Sequence, residues 1–179
     1  MKLTQLMFGL MAALGLAACD SSSEAPRHYY SSGPELLDFH IIDSFKVDSL
    51  EDYVTPLALD PYEYDGWFDL FWYVDSDWDY IVAVGVNDRP TMNGATIVAV
   101  DFCGVDSPCD SLGTYLCQYT EDYYVGCGFG EIEARSNQKS ISHLLNLSQE
   151  LPQRVYLVLE VCDADGGGCE YDPLPVWLY

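Results

Sequence analysis

From Glu35 onward, apolar and polar residues alternate in short runs separated by turn-forming residues, with no long helical period. Phe39, Ile41 and Phe45 mark the first run. In residues 67–74 the apolar positions Phe68, Leu70, Trp72 and Val74 share one face. Asp75-Ser76-Asp77 supplies a turn, and residues 78–86 alternate again through Tyr80, Val82, Val84 and Val86. Period and turn chemistry predict that these two runs pair as a hairpin. Turn residues at 87–90 and Asn93-Gly94 precede a strand at 96–103. Residues 112–118 and 123–127 predict a second hairpin around Thr120-Glu121-Asp122, with 131–135 extending the ladder. Residues 140–147 fit either a strand or a single helical turn. Strands at 155–162 and 176–179 close the chain. Many short strands without helices predict an all-β fold of two packed sheets, a β-sandwich.

The N-terminus follows another rule. Met1-Lys2 gives a positive start, residues 6–16 an apolar run, and Leu16-Ala17-Ala18-Cys19 small residues before a cysteine. That order is the architecture of a secretory signal, and the run is too short to cross a bilayer. Leu16-Ala17-Ala18-Cys19 resembles the lipobox of bacterial lipoproteins. The resemblance implies removal of residues 1–18, acylation of Cys19, and a membrane contact made through that lipid. Asp20, directly after it, resembles the signal that retains such proteins at the inner membrane. Ser21-Ser22-Ser23 and Ser31-Ser32-Gly33-Pro34 make 19–34 a flexible spacer, leaving 35–179 as one domain.

Charge and cysteine content narrow the picture. The chain has 29 acidic and 7 basic residues and a formal charge of −22. Such a field repels nucleic acid and anionic headgroups and attracts cations and basic partners. With 49% hydrophobic and 14% aromatic residues, the chain is too apolar for a disordered acidic polymer. Of the 7 cysteines, all but Cys19 fall in the domain: Cys103, Cys109, Cys117, Cys127, Cys162 and Cys169. In an exported domain they read as three disulfides. Pairing between chain neighbours is expected, because each neighbouring pair flanks a turn-like stretch. A zinc site is the rival, though no Cys-x-x-Cys occurs and the histidines lie far away in sequence.

A local stretch adds to the fold assignment. Leu151-Pro152-Gln153-Arg154-Val155-Tyr156, continuing to Val161, resembles the approach to strand F of fibronectin type III and other immunoglobulin-like domains. The resemblance implies a tyrosine corner with Tyr156 bonding back to the backbone. The expected architecture is therefore a disulfide-stabilised immunoglobulin-like β-sandwich.

Catalytic chemistry has little sequence support. His28, His40 and His143 stand in no metal or nucleophile motif, and there is no nucleophile elbow or phosphate-cradling glycine loop. Two stretches remain. In residues 162–172, Asp163, Asp165, Glu170 and Asp172 around three glycines resemble the start of a calcium loop, with a spacing that departs from that pattern, and the favoured reading is a disulfide-closed hairpin tip. On residues 67–73, Trp67, Asp69, Phe71 and Tyr73 share the face opposite the core positions. That face can stack on sugars, meet a protein, or be covered by loops. The expectation is a lipid-anchored cell-envelope protein with a non-catalytic binding or structural role, without a required cofactor. The alternatives are an envelope glycan-acting enzyme and a calcium-dependent adhesin module.

Overall fold

Alternating apolar rows give two sheets whose inner faces meet. The computed structural model describes residues 33–42, 57–146 and 148–179. The leader, Cys19, Asp20, His28, Phe45, Leu147 and nearly all of the spacer lie outside the described residues. The strands are β1 (Glu35–Ile42), β2 (Leu57–Leu59), β3 (Trp67–Asp75), β4 (Tyr80–Asn87) and β5 (Thr96–Cys103), followed by β6 (Leu112–Tyr119) and β7 (Tyr124–Gly128). A short helix α1 (Glu131–Ser136) precedes β8 (Lys139–Ser140), β9 (Gln153–Asp163) and β10 (Cys169–Leu178). One five-stranded sheet, A, runs β1-β3-β6-β7-β8, and the other, B, runs β2-β10-β9-β4-β5. This is an all-β sandwich with three disulfides.

The core is the meeting of those inner rows. Leu70, Trp72 and Val74 of β3, Val82 and Val84 of β4, and Leu159 and Val161 of β9 are fully buried. Each such side chain contributes roughly 1.5–3 kcal/mol relative to exposure. Trp72 has its own seat: it stands opposite Gly113 of β6, and a Cβ on Gly113 would lie 1.9 Å from the indole. Only a residue without a side chain fits beneath the ring.

Four expectations about the secondary-structure elements need correction or completion. First, residues 67–74 and 78–86 do not form a hairpin. β3 pairs with β1 and β6, whereas β4 pairs with β5 and β9, so residues 76–79 carry the chain from one sheet to the other. Alternation and a turn are satisfied equally by strands bonded side by side and by strands facing across a core. Second, residues 131–135 are helical. Gly126 and Gly128 leave the outer side of β7 bare, and α1 fills it; a Cβ on Gly126 would lie 2.2 Å from the Ala134 carbonyl oxygen. The Phe129 amide donates to Glu133 Oε2 at 2.9 Å, and Asn137 Nδ2 to the Cys127 carbonyl at 2.9 Å. Third, the stretch at 140–147 uses both offered conformations: β8 ends at Ser140, and a 3-10 turn spans Ser142–Leu144. Fourth, β10 begins at Cys169 rather than 176. Pro173 and Pro175 argue against a central strand, but β2 pairs only with Val176, Trp177 and Leu178, so both prolines sit on a free edge.

The disulfides join chain neighbours: Cys103–Cys109, Cys117–Cys127 and Cys162–Cys169. The last two link cross-strand register partners. The six cysteines of the domain are thereby bonded to one another, which leaves no free thiol among the described residues. Tyr156 does not make a tyrosine corner. Its ring lies under the Arg154 guanidinium, 5.3 Å from the centroid, and its hydroxyl has no hydrogen bond among the described residues.

Gly113→Ala should cost about 2 kcal/mol or more through overpacking against Trp72. Denaturant unfolding of oxidised protein checks this; a loss below about 0.5 kcal/mol would show that the ring can move aside.

Candidate binding surfaces

On sheet A the predicted strip does lie on the outer side of β3. Phe71 stands beside His40 of β1 and Thr114 of β6, Asp69 beside Leu116, and Tyr73 beside Asp38 and Leu112. The His40 and Phe71 rings are 4.9 Å apart. The strip is not continuous, however. The Arg135 guanidinium of α1 covers Trp67 at 5.3 Å, a cation–π contact, and Asp69 and Phe71 are half-buried. Tyr73 alone of the four is well exposed. Burial pushes the Asp69 carboxyl above the usual carboxylate range. His40 Nδ1 lies 3.2 Å from Asp38 Oδ2, but the nitrogen is buried and the pair lacks hydrogen-bond geometry.

The acids of the C-terminal loop are separately engaged. Asp163 Oδ1 accepts the Asp165 amide at 2.9 Å, capping the turn after β9. Glu170 Oε2 accepts the Leu36 amide of β1 at 3.0 Å. Asp172, two residues along β10, is raised by burial and then by Asp38. Among the described residues, the group of three potential ligand side chains within 4.8 Å is Glu160, Cys162 and Cys169, and two of these are a disulfide. The loop thus has the form of a disulfide-closed hairpin tip.

One polar pair, a buried tyrosine and a half-buried aspartate, joins the two sheets. The Tyr115 hydroxyl donates to Asp101 Oδ2 at 2.5 Å, from β6 in sheet A to β5 in sheet B. Burial raises Tyr115 strongly, helped by the Asp101 bond, and burial also raises Asp101. The three raised carboxyls, Asp69, Asp101 and Asp172, occupy three different strands.

The outer face of sheet B was not singled out by sequence. In register across β5, β4, β9 and β10 stand Phe102, Ile81, Cys162 and Cys169; next Val100, Ala83, Glu160 and Tyr171; then Ile97, Gly85, Val158 and Pro173. Phe102 and Val100 are each 56% exposed and Tyr171 50%. Glu160 is the single charge among these twelve positions. The signal was present: β4 reads Ile81-Val82-Ala83-Val84-Gly85-Val86, apolar at successive positions and hence on both faces. Val82, Val84 and Val86 alone satisfy a one-faced alternation, which masks the second row.

No protein family profile matches this chain, and neither a curated protein nor a solved structure is significantly similar to it.

Asp69 yields a pH prediction. Its carboxyl binds a proton more tightly folded than unfolded, so its contribution to stability declines as pH rises through its folded-state value. Asp69→Asn removes that decline. The stability difference between pH 4 and pH 7, from denaturant unfolding, should therefore shift toward the neutral side relative to wild type. An unchanged difference would mean that Asp69 is solvated as freely folded as unfolded.

Proposed function

We propose that this chain is exported, acylated at Cys19 and held on the bacterial cell envelope, where its sandwich serves as a non-catalytic binding module. The observation that carries the binding is the outer face of sheet B, an exposed apolar surface centred on Val100 and Phe102. Contiguous apolar surface on a soluble domain marks an interaction site. The leader pattern and the six paired cysteines support export, since disulfides persist in oxidising compartments. The partner is a protein rather than a glycan. Sugar recognition needs flat rings among hydrogen-bonding groups, and Trp67, the largest ring of the acidic strip, lies under Arg135.

Kinship with immunoglobulin-like sandwiches is part of the same reading. The run β10-β9-β4-β5 corresponds to strands G, F, C and C′, and β1-β3 to A and B. The correspondence weakens at β6 and β7, a hairpin filling the places of E and D in reversed chain order. The calcium-dependent reading has less support, because Asp163 and Glu170 already accept backbone amides.

Two measurements test the proposal. Labelled palmitate should enter the wild-type protein and not Cys19→Ser, which should leave the membrane fraction; equal labelling would remove the anchor. A photo-reactive benzoylphenylalanine at position 100 of the membrane-held protein should give a discrete adduct, and one at position 112 on sheet A none. Absence of the first adduct, or equal adducts at both positions, would overturn the assignment of the binding face.

A further inference from the structure

A sandwich of two open sheets has four edge strands, each a row of N–H and C=O groups without a partner on one side. Three of these edges are blunted. β8 has 2 residues and β2 has 3, and the part of β10 that β2 leaves unpaired carries Pro173 and Pro175. β1 is longer, but its register breaks between Leu36 and Asp38, it carries Glu35 and Asp38, and the Glu170 carboxylate takes its Leu36 amide. Bulges, charges and shortness are the ways an edge avoids adding strands.

β5 differs. It has 8 residues, and its irregularity, opposite Val84 and Gly85, leaves 99–103 in regular register with β4. It contains neither lysine nor proline. Its one charged residue, Asp101, bonds the buried Tyr115 hydroxyl and does not confront an added strand. Among the described residues, β5 shares its backbone ladder with β4 alone. Beside that open edge stand the exposed side chains of Val100 and Phe102.

We propose that β5 is a strand-addition edge, and that its occupant is an extended segment of a basic partner protein. The inference rests on the outer face of sheet B being the binding surface and specifies how that surface is used. Backbone ladder bonds along 99–103 would supply affinity, and alternate apolar side chains lying against Val100 and Phe102 would supply selectivity. Charge decides between partners. A second copy would bring another −22 against the first, whereas a segment with alternating lysines meets a favourable field.

The test uses the full lipidated chain in detergent micelles and three eight-residue probes. Acetyl-(Lys-Val)4-amide presents donors, apolar side chains and positive charge. Acetyl-(Glu-Val)4-amide reverses the charge, and the Lys-Val probe methylated at every backbone nitrogen keeps charge and side chains but loses its donors. Calorimetric titration should find the Lys-Val probe bound at least about tenfold more tightly than either other probe, with slowed amide exchange across 99–103. Equal binding of the N-methylated probe would overturn strand addition while leaving a side-chain binding face in place. If Val100→Lys and the milder Phe102→Thr, both checked for native circular dichroism, also leave Lys-Val binding unchanged, the face itself falls. Self-association without any probe, seen by sedimentation, would make the occupant a second copy and overturn the basic partner.

Discussion

The packing of Trp72 between the sheets is the constraint from which much of sheet A follows. An indole this large, with no exposure, needs a strand neighbour that offers no side chain beneath it, and Gly113 of β6 is that neighbour. The choice sets β6 beside β3 in a register that brings Tyr115 against Trp72, ring centroids 4.7 Å apart, and Phe129 against Tyr115 at 4.9 Å. Cys117 then falls opposite Cys127, so the disulfide ties β7 to β6 at a fully buried point. β7 in turn offers Gly126 and Gly128 on its outer side, where α1 docks and swings Arg135 over Trp67. A packing requirement inside the sandwich thus determines which part of its outside is covered.

The same tyrosine joins the two sheets electrostatically. The alternation of β5 turns Asp101 toward the inner side of sheet B, where it is half-buried and accepts the Tyr115 hydroxyl. Both groups are raised, so the bond holds a carboxylate that is comparatively easy to protonate against a phenol that is hard to ionise. For a strand at the edge of its sheet, this bond fixes which residues face inward. Val100 and Phe102 are consequently turned to solvent.

What the sequence reveals here is mostly periodicity, and periodicity reports faces rather than partners. The inner rows of β3 and β4 were legible from Phe68 to Val86, as were the hairpin at 120–122 and the boundaries of β5. Pairing was not, because residues 75–79 serve a sheet-to-sheet crossing as well as they would a hairpin. α1 was hidden for another reason. Its six residues owe their helicity to the bare glycines of β7 and to the Phe129 and Asn137 bonds, a tertiary effect that overrides weak local preference. The aromatic strip on β3 was readable as a row, while the helix that covers its largest ring was not. The second apolar row of β4 and β5 was in the sequence throughout, in runs that Asp101 alone interrupts with a charge.

The two outer faces therefore carry different physical consequences. The outside of sheet A carries a helix, a cation–π contact and a half-buried acidic strip, and its exposed apolar side chains, among them Tyr73, Leu112 and Ile132, are set among these features. Sheet B is left open at its β5 end, with Phe102 and Val100 each more than half exposed beside an unblunted edge, while Met92 and Ala95 lie over Gly85 and Val158 is buried. An apolar face of this kind invites self-association, and the charge of −22 opposes it, because like molecules repel over a Debye length of roughly 8 Å in physiological salt. The same field draws a basic segment inward. Among the described residues, an unblunted apolar edge on so acidic a chain stands in a field that disfavours a second copy and favours cationic groups.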